Sequence, residues 1–158
     1  MKTLRLFLIL IFSLSCSPKL AIQETLGFPV KVKEVYFQKW IAGIQGGGSG
    51  ITLHIEFFEK LPKELVLNHL YFRHMKDSVR ELDEENYTVT FPGTANWEKE
   101  NEPLSGKKPK AKNIETPIKI LDNEAILEFT QNGKRKLFKI KNITEKEMLA
   151  YPSARPRN

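Results

Sequence analysis

The sequence predicts an all-β domain, an antiparallel sandwich or small barrel of about seven to eight strands. Three observations carry that expectation. Short segments alternate apolar and polar residues with period two, the mark of a strand with one buried face. An Asn-Gly pair divides two such segments near the C-terminus. Helical periodicity is confined to Thr144 to Leu149, a turn or two at most.

In chain order, Lys31 to Ala42 comes first, with Val35, Phe37 and Ile41 on one side and Tyr36 and Trp40 on the other, as in a central strand. Next, Ile51, Leu53, Ile55 and Phe57 alternate with Thr52, His54 and Glu56. Leu65 to Arg73 is again apolar on both faces, and Val79 to Leu82 is a shorter candidate. Tyr87, Val89 and Phe91 alternate with Asn86, Thr88 and Thr90, and Thr116 to Leu121 is a second short candidate. The clearest element is EAILEFTQNGKRKLFKI, residues 124–140. Asn132-Gly133 suits a type I′ turn, which needs positive φ at both central positions. With that pair as the loop, Phe129 faces Lys136, Leu127 faces Phe138 and Ala125 faces Ile140, so turn chemistry and register agree.

Between the first two strands lies WIAGIQGGGSGITL, residues 40–53. A phosphate loop needs Gly-x4-Gly-Lys-Ser/Thr, and this stretch has neither the lysine nor a helix after it. A dinucleotide fold also needs its glycines to open a helix. What remains is a chain reversal, serving either as a plain hairpin connection or as a contact surface built from Gly46, Gly47, Gly48, Ser49 and Gly50. Tyr36 and Trp40 anchor such a surface if they point outward; the other reading makes them core aromatics. Trp97 belongs to the long polar segment Pro92 to Asn113, where an acidic run, Glu98 to Glu102, precedes KKPKAK at residues 107–112. That segment reads as a solvated loop or as a patch for phosphates on lipid headgroups or glycans.

The chain opens MKTLRLFLILIFSLSCSPKLA, a basic start and an apolar run from Leu6 to Phe12 followed by small residues. A spanning helix needs about 20 apolar residues, so this run reads as a secretory signal. Ser13-Leu14-Ser15-Cys16 resembles the lipobox of bacterial lipoproteins, in which the cysteine is acylated and becomes the first residue of the mature chain. Leucine is commoner at the place of Ser13, which leaves ordinary cleavage open. Cys16 is the one cysteine in the sequence, so no disulfide can form within the chain. The resulting organisation is a signal at 1–15, a tether at 16–29, a single β domain at 30–150 and a Pro-containing tail at 151–158.

With VYFQKWIAGIQGGGSGITL at 35–53, LYFR at 70–73, NGKRKLFKIKNI at 132–143 and the ending AYPSARPRN, the chain resembles small envelope lipoproteins of Bacteroidota, the flavobacteria especially. The resemblance implies export and anchoring and carries no activity; Arg155 stands where a proline is usual.

Composition sets outer limits. With 41% hydrophobic and 28% charged residues the chain is globular in class. The formal charge is +6, of which Lys2 and Arg5 leave with the signal; so mild a bias argues for no nucleic-acid role. His69 and His74 would face opposite ways on a strand, and no metal-type cluster of His or Cys is legible. Ser49 lacks a nucleophile elbow, and Asp83, Glu84 and Glu85 read as a turn. Asn86-Tyr87-Thr88 and Asn142-Ile143-Thr144 match the N-glycosylation triplet, and Asp77-Ser78-Val79 a short O-glycosylation triplet, all at chance level. The expectation is therefore a lipid-anchored envelope protein facing the periplasm from the outer membrane, a non-catalytic binding or accessory module without cofactor or metal. Its partners would be the membrane, through the lipid, and an envelope protein or glycan. The alternative is a hydrolase of envelope glycans or peptides using Glu56, His54 or Ser49.

Overall fold

The computed structural model describes residues 27–96, 114 and 116–151. These residues form nine strands: β1 Val32–Ala42, β2 Ser49–Phe57, β3 Leu65–Phe72, β4 Met75–Ser78, β5 Arg80–Glu81, β6 Asn86–Pro92, β7 Ala125–Gln131, β8 Lys134–Ile140 and β9 Thr144–Tyr151. They make two sheets, ordered β5-β6-β2-β1-β9 and β4-β3-β7-β8. Every pairing is antiparallel except β1 with β9. The predicted all-β sandwich is the observed architecture. Its order β5-β6-β2-β1 against β4-β3-β7-β8 corresponds to the D-E-B-A and C-F-G order of immunoglobulin-type Greek keys, with β4 and β9 added at edges.

The core lies between the sheets. Phe37, Leu53, Ile55, Phe57, Tyr87, Val89 and Phe91 enter from one side, and Leu65, Leu70, Phe72, Ala125, Leu127, Phe129 and Ile140 from the other. Outside β3 these are the residues that the period-two pattern assigns to one face, and each large side chain so buried contributes about 1.5 to 3 kcal/mol. Phe28, expected in the tether, joins this core, stacking on Phe57 at 5.3 Å and meeting Phe129 edge-on at 4.9 Å.

The hairpin β7–β8 has the expected register, with Phe129 opposite Lys136, Leu127 opposite Phe138 and Ala125 opposite Ile140. Asn132 and Gly133 have φ of 51° and 72°, both positive, as a type I′ turn requires. Three expectations need correction. Thr144 to Leu149 is not helical: as part of β9 it pairs in parallel with the edge of β1, whose backbone offers more bonds than a one-turn helix could make alone. Thr116 to Leu121 is not a strand; it is an irregular segment containing Pro117, whose Ile118 and Ile120 pack with Ile114 on Tyr71, Ile126 and Leu137. The short candidate Val79 to Leu82 is present as the two-residue β5, formed after the chain leaves β4 at Ser78 and crosses to the other sheet. Arg73 ends no strand but opens a reversal with His74, at φ 47° and 63°, between β3 and β4.

Strand β3 holds a bulge at Asn68: Leu67 pairs with Phe129 and His69 with Glu128, adjacent residues of β7. The extra residue switches the inward set from Leu65 and Leu67 to Leu70 and Phe72. It thereby puts His69 and Tyr71 on the outer face.

Candidate functional site

The glycine loop is a built reversal. Gly46 and Gly48 take φ of 79° and 82°, which a residue with a Cβ enters only at a cost. Its backbone is tied to the start of the 92–113 segment. Asn96 donates through Nδ2 to the carbonyls of Ala42 and Ile44, both at 2.8 Å, and accepts from Gly46 N–H through Oδ1 at 3.3 Å. Gly48 N–H donates to Asn96 O at 2.7 Å, and Ser49 Oγ donates to Ala95 O at 2.9 Å. Gly47 is half-buried, whereas Gly48, Ser49 and Gly50 are buried.

Trp40 is only 5% exposed, so the outward reading does not hold for it. Its indole lies so close to Gly50 that a Cβ there would sit 2.7 Å from the ring and 2.5 Å from Phe91 O. Tyr36 lies half-buried on the outer face of the five-stranded sheet, stacked on His54 at 4.8 Å with Lys146 Nζ 3.5 Å from its ring centre. Cys16, Trp97, residues 107–112 and the tail 152–158 lie outside the described residues.

The residues named for hydrolysis are not brought together. Ser49 has the parity of inward-facing Leu53 and Ile55, opposite to that of His54 and Glu56. Glu56 is engaged by Lys33 Nζ at 2.5 Å. Burial first, then the charge of Lys146, holds the His54 imidazole below its ordinary value. A cleft of about 350 Å³ opens elsewhere, lined by Lys60, Leu61, Val66, Val79, Glu81 and Tyr87 among others. Burial raises the Tyr87 phenol there, aided by Glu81, Asp83 and Glu84. Among the described residues no group of three or more His, Cys, Asp or Glu could hold a metal ion.

The densest polar arrangement is one that sequence reasoning missed. On the outer face of the four-stranded sheet, Glu128 is 4% exposed. Tyr71 Oη donates to its Oε2 at 3.1 Å. Arg135 Nε stands 3.2 Å and His69 Nδ1 3.5 Å from Oε1, and Lys76 Nζ stands 3.7 Å from Oε2. Four strands supply the set: His69 and Tyr71 from β3, Lys76 from β4, Glu128 from β7 and Arg135 from β8. The arrangement rests on the Asn68 bulge and on cross-strand registry, because His69 is directly opposite Glu128 and Tyr71 directly opposite Lys76. One flank is closed by Asn68 Nδ2 donating to Thr130 Oγ1 at 2.8 Å, and the neighbouring Tyr71, Ile126 and Leu137 are covered by the isoleucines of the 114–120 segment. Two signals in the sequence pointed here. Glu128 is the lone charge in AILEFT, and the apolar parity of LVLNHLYF slips at Asn68.

Comparisons with protein-family models, with curated proteins and with solved structures find no match to this chain.

Proposed function

We propose that the chain is a lipid-anchored envelope protein, held through Cys16 at the outer membrane and facing the periplasm, whose sandwich is a non-catalytic binding module for an envelope protein or glycan. The lipobox-like Ser13-Leu14-Ser15-Cys16 supports the anchor. The observation that supports binding is the Glu128 cluster. A carboxylate costs several kcal/mol to bury unless its partners are well placed, and an apolar pair of the same volume would hold a sheet face at least as well. Here the partners surround a buried acid while Arg135 and His69 stay 52% and 37% exposed through their side chains, so the cluster is open to an incoming group. In this reading the glycine loop is the connection that fixes the β1–β2 hairpin, and the binding face is the outer face of the four-stranded sheet.

The anchor is tested by fractionation and mass spectrometry of the mature chain. Wild type is expected in the membrane fraction with acyl chains on an N-terminal Cys16, and Cys16→Ser in the soluble periplasmic fraction. A Cys16→Ser protein recovered wholly with membranes contradicts the anchor.

A further inference from the structure

We propose that the Glu128 cluster is a binding site for a phosphoryl group, in which Arg135, Lys76 and His69 take the anion and Glu128 positions them. This rests on the binding reading above and names its ligand chemistry.

Glu128 is the one acid of the cluster, and around it stand two permanent cations, an imidazole and a phenol. Arg135 approaches Glu128 through Nε, and its side chain stays 52% exposed. A guanidinium carries five N–H donors in a rigid fork, so the single Nε approach to Glu128 leaves it capacity for an anion from solvent. Lys76 lies 3.7 Å from the carboxylate with its ammonium 4.8 Å from the Tyr71 ring centre, which leaves further N–H groups to donate.

The floor is unfinished as well. Glu128 Oε1 and His69 Nδ1 are shielded from solvent and make no hydrogen bond, although they face each other at 3.5 Å. Buried polar groups are normally paired; of these two, His69 Nδ1 can donate to an incoming acceptor oxygen, while Oε1 keeps Arg135 Nε beside it at 3.2 Å. A phosphoryl group brings several acceptor oxygens, and it suits a guanidinium fork beside an ammonium. A cationic ligand would meet Lys76 and Arg135 instead. The carboxylate does not repel the anion outright, because the cations outnumber it and stand around it.

The test titrates inorganic phosphate into the full chain by calorimetry, with sodium chloride at equal ionic strength as the control. Wild type is expected to bind phosphate saturably and chloride not at all. Arg135→Gln and Lys76→Gln should each weaken binding about tenfold or more, as loss of a charge-assisted bond does. Lys33→Gln, which removes the same charge from the other sheet, should leave binding unchanged. Glu128→Gln separates positioning from attraction: it removes a negative charge, so simple attraction predicts tighter binding, whereas a positioning carboxylate predicts weaker binding with the melting curve still cooperative. A second arm uses vesicles. Wild type that sediments with phosphatidylglycerol and not with phosphatidylcholine, losing this with Arg135→Gln, places the phosphoryl group on a lipid headgroup; binding of free phosphate without vesicle preference places it on a soluble or glycan-borne group. Folded wild type that binds neither phosphate nor phosphatidylglycerol vesicles overturns the site. Glu128→Gln that binds as tightly as wild type overturns the role of Glu128. Neither result touches the binding reading, which a captured partner of other chemistry would still support.

Discussion

At the scale of single residues, close approach and burial decide the sharpest outcomes. Gly50 is held between Trp40 and the backbone of Phe91, so Gly50→Ala must push β2 and β6 apart or expel the indole. A loss of about 2 to 3 kcal/mol is expected in urea unfolding, and a change under half of that would mean the strands give way freely. His74 sits at φ 63° without being glycine, and the turn is held from outside: Arg73 stacks over Phe37 at 4.5 Å and donates through Nε to Asp122 O, while Ile114 N–H donates to His74 O. Replacing His74 by glycine should therefore raise stability by about 1 kcal/mol, measured in the same assay. His54 gives a pH signature. Its folded pKa lies below the ordinary 6.5, so as pH falls the unfolded chain takes the proton first. Stability is full above about 6.5 and declines as pH drops from there toward the folded pKa. Asp83 and Glu124 also have lowered pKa values, the first held mainly by the Glu85 N–H and the Asn86 side chain, the second by Lys139. They act in a separate window below their ordinary values of 3.8 and 4.5. His54→Gln should abolish the slope that begins below the ordinary value of 6.5 and leave the acid-limb slope of the carboxylates; a slope that survives the substitution assigns it to another group.

At the scale of elements, two hairpins show what a sequence makes legible. Asn132-Gly133 announces its turn, and the register of β7 and β8 follows residue for residue. Arg73-His74 makes the same kind of turn with residues that carry no turn signal, because Phe37, Phe72, Asp122 and Ile114 supply contacts that arise only in the folded chain. The short apolar segments failed as predictions for a similar reason. Ile118 and Ile120 do alternate, but their partner is the outer face of a sheet and not a neighbouring strand. Thr144 to Leu149 has some helical spacing, yet the unpaired edge of β1 captures it as β9. The bulge in β3 was readable as a slip in parity, though only with β7 in view does it place His69 against Glu128. If Asn68 is an inserted residue, deleting it restores strict alternation through Leu65, Leu67, Leu70 and Phe72. The deletion variant should fold with a cooperative transition, and a chain without fixed near-ultraviolet circular dichroism would contradict the inserted-residue account.

At the scale of the whole molecule, the sandwich gives two outer faces of different character. On the five-stranded sheet the cations are largely spent: Lys33 pairs with Glu56, Lys146 with Glu34 at 2.8 Å and Lys39 with Glu145 at 2.7 Å. On the four-stranded sheet one buried acid gathers two cations and an imidazole, and the adjoining edge strand β8 carries Lys134, Arg135, Lys136 and Lys139. Lysines on an edge strand also guard against edge-to-edge pairing, which accounts for their placement but not for the buried acid behind them. The fold class and most of the core were legible because they follow from period two, whereas the inward set of β3 also needs the bulge at Asn68. The polar cluster was not, because its members come from four strands that only topology brings together. The measurement that tests this account most directly is photo-cross-linking in intact cells, with a photoreactive residue placed at exposed Ser78 on β4 or, as control, at half-buried Gln38 on β1. Cross-links to an envelope component from position 78, lost when Lys76→Gln and Arg135→Gln are combined, are the expected result. Cross-links from position 38 and none from position 78 would contradict the assignment of the binding face.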